Sequence, residues 1–528
     1  MNNLRLLAVF RYLILACFGL LHYNAHASAN ENTLIEEIPL TQTDWTPNDL
    51  NTQWLATLPS NQAKLIGTPL CGIHLIKLRY ATHGVASEPT TATLALMLPT
   101  GNPTLCQNTH KAVLFAHGTV IDQRLDLSSL MPPHNAGKKT TIQVGLTFAA
   151  QGFLTILPNY SGYDSSPLSY TPYLDANQNG QEMIDVLHAV NQWLVLHHQP
   201  TLHQNKLYIT GYSQGGFVAL ATIKSLQGIH WPIQAGAVSS GPYALLAVGD
   251  EVMMGHPTYG ATIYMSLLSN SLAHLPNHPL DLNSVFSPEY QDAPKLFPGP
   301  YDKAGFLQLI KQNKFPLLAM FQSSPTGYAN LDNRPLPFIS FLGFDSEHYL
   351  IKTSFRESYI SDLLQNPDSG APASGAPPDL DTRPPLMAEH PSFIMRQLLK
   401  ESDLRNIVPT APLFICGGDR DPEVFWDQGA GTLTAMLFSN SPQTPQLRFA
   451  TLDLDTQGEP GQLLTYGLTN DQRIQLTKTT IETQKGFVHT QYPNSLDKLI
   501  FLLGIRSYHE NLEAYCLISS RAFFELYP

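Results

Sequence analysis

The feature that most constrains this chain is the turn Gly211-Tyr212-Ser213-Gln214-Gly215, which follows the apolar run Lys206–Thr210 (KLYIT) and precedes a helical stretch, Gly216–Leu226. A G-x-S-x-G turn between a strand and a helix forces the serine into a strained backbone conformation. The residues two before and two after it must therefore lack bulk. Such a turn lifts the Ser213 hydroxyl above a sheet, beside the positive N-terminus of the next helix. The competing reading is a glycine-rich turn with a helix-capping serine. The flanking strand and helix favour a nucleophile.

The surrounding sequence supplies a frame for that turn. Lys111–Phe115 (KAVLF) is an apolar run ending at Ala116-His117-Gly118-Thr119, and Gly152–Pro158 (GFLTILP) follows it. Apolar residues then recur at helical spacing through Glu182–His197, and Ile233–Ser239 is a further strand after the turn. Strands alternating with helical stretches predict right-handed βαβ crossovers and a mostly parallel sheet covered on both faces, an α/β fold. From Tyr243 to about Pro409 the rhythm gives way to Pro-punctuated helical patterns (Gly260–Leu275, Lys303–Asn313, Phe355–Gln365, Pro391–Leu404) and a Pro/Gly-rich loop at 366–385. The core resumes with Ala411–Cys416 (APLFIC) and Leu447–Leu454. The expected organisation is a core in two parts, 28–242 and 410–528, with a mainly helical cap inserted at 243–409.

A serine hydroxyl is a poor nucleophile at neutral pH. It needs a histidine base that is itself oriented by a carboxylate. The acid is expected at Asp421 in the loop that leaves the APLFIC strand, with Asp419 as the alternative, whose other role is to cap the turn or pair with Arg420. The base is expected at His489, which comes after the acid and a further strand, and before Leu496–Leu503, read as a closing helix. His348 and His390 fall inside the cap and fit worse. The anionic oxygen formed on attack needs backbone N–H donors, expected from Gln214 after the nucleophile and from Thr119 after an earlier strand. His117 is read as a structural residue of that loop.

Four segments, AHGT (116–119), PNYSGYDSS (158–166), TGYSQGG (210–216) and SDLRNIVPTAPLFICGGDRDPEVF (402–425), make the sequence resemble the α/β-hydrolase superfamily. Within it the chain is similar to secreted bacterial esterases and lipases related to fungal secretory lipases. The resemblance covers most of the chain from about Thr68 to Leu503, the cap in character only. It implies Ser213 as nucleophile, Asp421 as acid, His489 as base, and Thr119 with Gln214 as oxyanion donors. One departure is the long interval between Leu454 and His489, since the base usually follows the last strand closely.

The remaining signals bound the setting. Arg5 and Arg11 precede the apolar run Tyr12–Leu21, and Ala25-His26-Ala27 follows, the pattern of a secretory signal peptide over 1–27. No later apolar run approaches the roughly 20 residues that a membrane-spanning helix needs. Cys71 and Cys106 form the expected disulfide, stapling the ends of a strand pair. Cys416 fits a bridge or a buried free thiol equally well. With 30 Lys+Arg against 42 Asp+Glu, and without a dense basic run, a nucleic-acid partner is excluded. Asp175-Ala176-Asn177-Gln178-Asn179-Gly180 opens like a calcium loop, but Val186 stands where a bidentate Glu would be needed, so it reads as a polar turn and cap. Aromatic and Met residues of the cap, such as Met253 and Met265, fit either core or an acyl pocket. The expectation is a secreted or periplasmic serine hydrolase of small or lipid carboxylic esters, with neither metal nor cofactor. A serine peptidase or acyltransferase on the same fold, or a catalytically inactive binding protein, are the alternatives.

Overall fold

The structure is a computed structural model and describes residues 33–107, 110–130, 136–204, 206–333, 343–369, 386–456, 459–492 and 505–528. The signal segment 1–27, most of the Pro/Gly-rich loop at 366–385 and the stretch Leu496–Leu503 lie outside the described residues. Among the described residues no helix is long and apolar enough to cross a membrane.

The sheet begins antiparallel. Strands β1 (Leu34–Ile38) and β2 (Asp44–Trp45) lie against β3 (Gly72–His83), which pairs along its length with β4 (Pro89–Thr100). A disulfide joins Cys71, just before β3, to Cys106, just after β4. Next to β4 lies β6 (Leu154–Pro158), which runs parallel to β5 (Lys111–Ala116), followed in space by β7 (Lys206–Tyr212) and β8 (Ala235–Ser239). The chain then leaves the sheet, forms a small separate pair, β9 (Phe321–Gln322) with β10 (Phe344–Asp345), and returns as β11 (Leu413–Gly417) beside β8. Strand β12 (Phe449–Asp453) continues the parallel series, and β13 (Leu463–Tyr466) closes it antiparallel. Strands β6, β8 and β11 are buried at every residue. This is why their sequences are continuous apolar or small runs rather than alternating ones.

Helices α1 (Ser60–Ile66), α2 (Lys138–Thr147), α3 (Ala176–Leu196) and α4 (Gln214–Gly228) belong to the first part of the core. Helix α3 starts before the expected Glu182. Asp175 caps it by accepting from the Gln178 N–H at 2.8 Å, so the calcium-like stretch is the helix's own first turns. Gly180 is small because α3 crosses α4 there: a Cβ would lie 2.1 Å from Ser225 Oγ and 3.0 Å from the Ala221 carbonyl oxygen.

Between β8 and β11 the chain builds α5 (Leu245–Met254), α6 (Ala261–Ala273), α7 (Lys303–Lys311), α8 (Thr353–Gln365) and α9 (Ile394–Glu401). Three of these are locked by one fully buried arginine. Arg396 on α9 grips Asp250 of α5 with Nε at 2.9 Å and Nη2 at 3.0 Å, and reaches Asp362 of α8 with Nη1 at 2.9 Å. The Tyr359 hydroxyl donates to the same Asp250 at 2.8 Å. A second buried arginine, Arg405, pairs with Asp403, which also accepts the Leu246 N–H at 3.0 Å. After β11 come α10 (Thr432–Asn440), α11 (Asn470–Gln491) and α12 (Ile505–Phe524). Cys416 on β11 is bonded to Cys516 on α12, a bridge rather than a free thiol.

Breaking a buried ion pair by removing one partner leaves uncompensated charge, at a cost of about 3–5 kcal/mol. Arg396→Met is therefore expected to lower the free energy of unfolding by about that amount, read as a fall in the urea midpoint. A change below about 1 kcal/mol would show that the three helices are held by packing alone.

Candidate active site

Strand β7 ends at Tyr212 and α4 begins at Gln214, leaving Ser213 in the bend with φ 59° and ψ −125°. A left-handed φ is costly for a residue with a side chain. The bend is held by its surroundings. The Ser213 N–H donates to the Ser239 carbonyl at 2.9 Å, and neighbouring backbone approaches the two flanking glycines too closely for any Cβ. At Gly215 a Cβ would lie 1.9 Å from the Ala116 carbonyl oxygen, and at Gly211 it would lie 2.1 Å from that of Gly215. Gln214 is the first residue of α4, where a backbone N–H lacks an intrahelical partner.

The loop after β5 lies directly against this bend, since a Cβ on Gly118 would sit 3.3 Å from Ser213 Cβ. It is braced from the 158–166 segment. The Tyr160 hydroxyl donates to the His117 carbonyl at 3.0 Å, the Tyr163 hydroxyl donates to that of Val120 at 2.7 Å, and the His117 ring stacks on Tyr160 at 4.0 Å. Burial depresses the His117 pKa to about 4, so the ring is neutral and structural. Thr119 hydrogen-bonds through its hydroxyl to that of Tyr173 at 2.7 Å.

Asp421 lies in the loop that leaves β11, and its side chain is buried. Its Oδ1 accepts the N–H groups of Glu423 at 3.0 Å and Val424 at 3.2 Å, which aims Oδ2 at Nδ1 of His509, 2.7 Å away. The structure does not bring the expected base His489 to Asp421. His489 is exposed on α11, a 22-residue helix where the sequence suggests a loop, whereas His509, in the first half of α12, meets the acid. Asp419 uses its N–H to reach Asp453 Oδ1 at 3.1 Å and is not the residue bonded to His509. The sequence carries one weak signal for His509, its place in an apolar closing helix that also holds Cys516.

The His509 environment sets its charge. Burial alone would lower its pKa, but the negative charges of Asp421 and Glu423, the bond to Asp421, and Glu513 on the same helix raise it to about 9. Its Nε2 is buried without a hydrogen-bond partner among the described residues. A cavity of about 790 Å³, open solvent included, reaches Ser213, Gln214 and Thr119 from beneath the inserted helices. Its walls are mostly carbon, with Leu245, Val248 and Val252 from α5, Met265 and Leu268 from α6, and Met395 from α9. Tyr359, bonded to the Asp250 held by Arg396, is part of the same wall.

A parallel sheet with antiparallel first strands, a serine at the tight turn after a central strand, and an insertion between later strands define the α/β-hydrolase fold. Among solved structures, the ligand-bound rice cell wall degrading esterase LipA from Xanthomonas oryzae is similar, with a TM-score of 0.58 and 22% identity over 80% of this chain and 90% of that one. A protein of Legionella pneumophila assigned as a hydrolase is similar at TM-score 0.56 and 20% identity, covering 77% of this chain and 89% of that one. The sequence matches no family model and no curated protein.

A raised pKa means that His509 is an imidazolium below about pH 9 and can accept a proton only as the pH rises through that value. The expected result is a ring titrating well above the ordinary histidine range of about 6.5 when followed by NMR of its Nδ1 proton. Asp421→Asn should move that titration downward. A wild-type titration at or below about 6.5 would contradict the site's electrostatics.

Proposed function

We propose that this chain is a serine hydrolase of carboxylic esters that acts outside the cytoplasm. The observations that carry the reading are a strained, glycine-flanked Ser213 and, bonded to the tyrosine that precedes it, a buried Asp421–His509 pair whose Nε2 has no partner among the described residues. In this mechanism the Ser213 oxygen attacks the ester carbonyl carbon while Nε2 of neutral His509 takes the hydroxyl proton. The backbone N–H groups of Gln214 and Thr119 receive the oxyanion, and Asp421 stabilises the imidazolium. Collapse expels the alcohol, protonated by His509. Water, deprotonated by the same ring, then frees the acid and regenerates Ser213.

The carbon-lined cavity favours an apolar acyl group and an uncharged ester. Two disulfides and the basic-then-apolar N-terminal sequence support an extracytoplasmic setting.

Turnover of a series of esters from acetyl to palmitoyl, with peptide anilides alongside, tests the reading. Esters should be cleaved and anilides not, and Ser213→Ala should cut kcat/KM by about 10⁴-fold or more without unfolding the chain. Full activity in Ser213→Ala would remove the nucleophile assignment, and faster cleavage of anilides than of esters would replace the esterase reading with a peptidase.

A further inference from the structure

Tyr212, between Gly211 and Ser213, is buried and does more than complete the turn. Its hydroxyl donates to the backbone carbonyl of His509 at 2.6 Å, and the same oxygen lies 3.2 Å from His509 Nδ1, with the rings 4.9 Å apart. The hydroxyl proton points at the carbonyl, so the oxygen's lone pairs are left to face Nδ1. The proton on Nδ1 is thereby placed between two acceptors, Tyr212 Oη and Asp421 Oδ2. In the neutral ring that fixes the tautomer with Nε2 bare. Burial and the charge of Asp421 hold the phenol well above its ordinary range, so it stays protonated and able to donate.

We propose that Tyr212 is a positioning residue for the base, holding His509 by both its backbone and its ring in register with the serine that follows Tyr212 in the chain. The inference rests on the proposed hydrolase mechanism. It gives the second residue of the G-x-S-x-G turn a chemical role, because the strand that presents the nucleophile also presents the group that orients the base. The charged and titratable groups facing the imidazole are Asp421 and Glu423 from the acid loop, Tyr212 from β7 and Glu513 from α12, with Lys139 of α2 acting on Glu513.

Tyr212→Phe keeps the ring and removes the hydroxyl. It should lower kcat about tenfold or more while KM changes less than about twofold, because Tyr212 does not line the cavity. The inflection of kcat/KM against pH should also move to lower pH, because an acceptor that favours the protonated ring has gone. A merely structural tyrosine would lower the rate without moving the inflection, and that outcome overturns the proposal, as does wild-type behaviour. Site-specific 3-fluorotyrosine at position 212 preserves the shape while weakening the acceptor, and should shift the inflection in the same direction. It supplies the answer if the phenylalanine variant does not fold. Ser213→Ala measured in parallel separates the two possible failures. If Ser213→Ala abolishes ester cleavage and Tyr212→Phe changes nothing, only the role of Tyr212 falls.

Discussion

The contact between Asp421 and His509, 2.7 Å long with both side chains almost out of reach of water, imposes demands on the rest of the molecule. A buried carboxylate and imidazole lose hydration that their mutual attraction offsets only when the geometry is held and the remaining polar atoms are bonded. Asp421 meets that condition through two backbone N–H groups of its own loop. His509 is held in place through α12, which is tied to β11 by the Cys416–Cys516 bridge and to β7 by Tyr212. A covalent link, a hydrogen bond to the helix backbone and the packing of α12 against β7, β8 and β11 thus converge on one pair.

The sheet and the insertion divide the labour. Parallel strands bring Ser213, the loop after β5 and Asp421 to one edge, because each is carried on the segment that follows a strand's C-terminal end. The close backbone approaches at Gly211 and Gly215 fix the angle at which the serine emerges. The inserted helices supply the apolar wall, and their buried arginines make it a fixed surface rather than a loosely collapsed one. In the proposed mechanism, chemistry comes from the sheet edge, and selection among acyl groups comes from α5, α6 and α9.

Local features are legible in the sequence, and the one residue of the proposed site that differs from expectation is not local. The strand, turn and helix around Ser213 share a single uninterrupted segment, so periodicity and two glycines identify them. Asp421 is marked by its distance from an apolar strand end. The base, in contrast, depends on which of several helices returns to the sheet. The 22-residue α11 is polar around most of its circumference, so its sequence resembles a loop and His489 resembles a loop residue. The partnership of Cys416 with Cys516, 100 residues apart, leaves no local trace, although it marks the helix that carries His509. The early start of α3 is hidden in the same way, because its capping aspartate and polar first turn imitate a metal-binding loop.

If His509, and not His489, activates Ser213, the difference must show in the reactivity of the serine itself. Labelling by a fluorophosphonate, which reports nucleophilicity without depending on the choice of ester, measures this directly when His509→Ala and His489→Ala are compared in folded protein. His509→Ala is predicted to slow labelling of Ser213 by about 10³-fold or more while His489→Ala labels at the wild-type rate. Normal labelling of His509→Ala with loss in His489→Ala would contradict it.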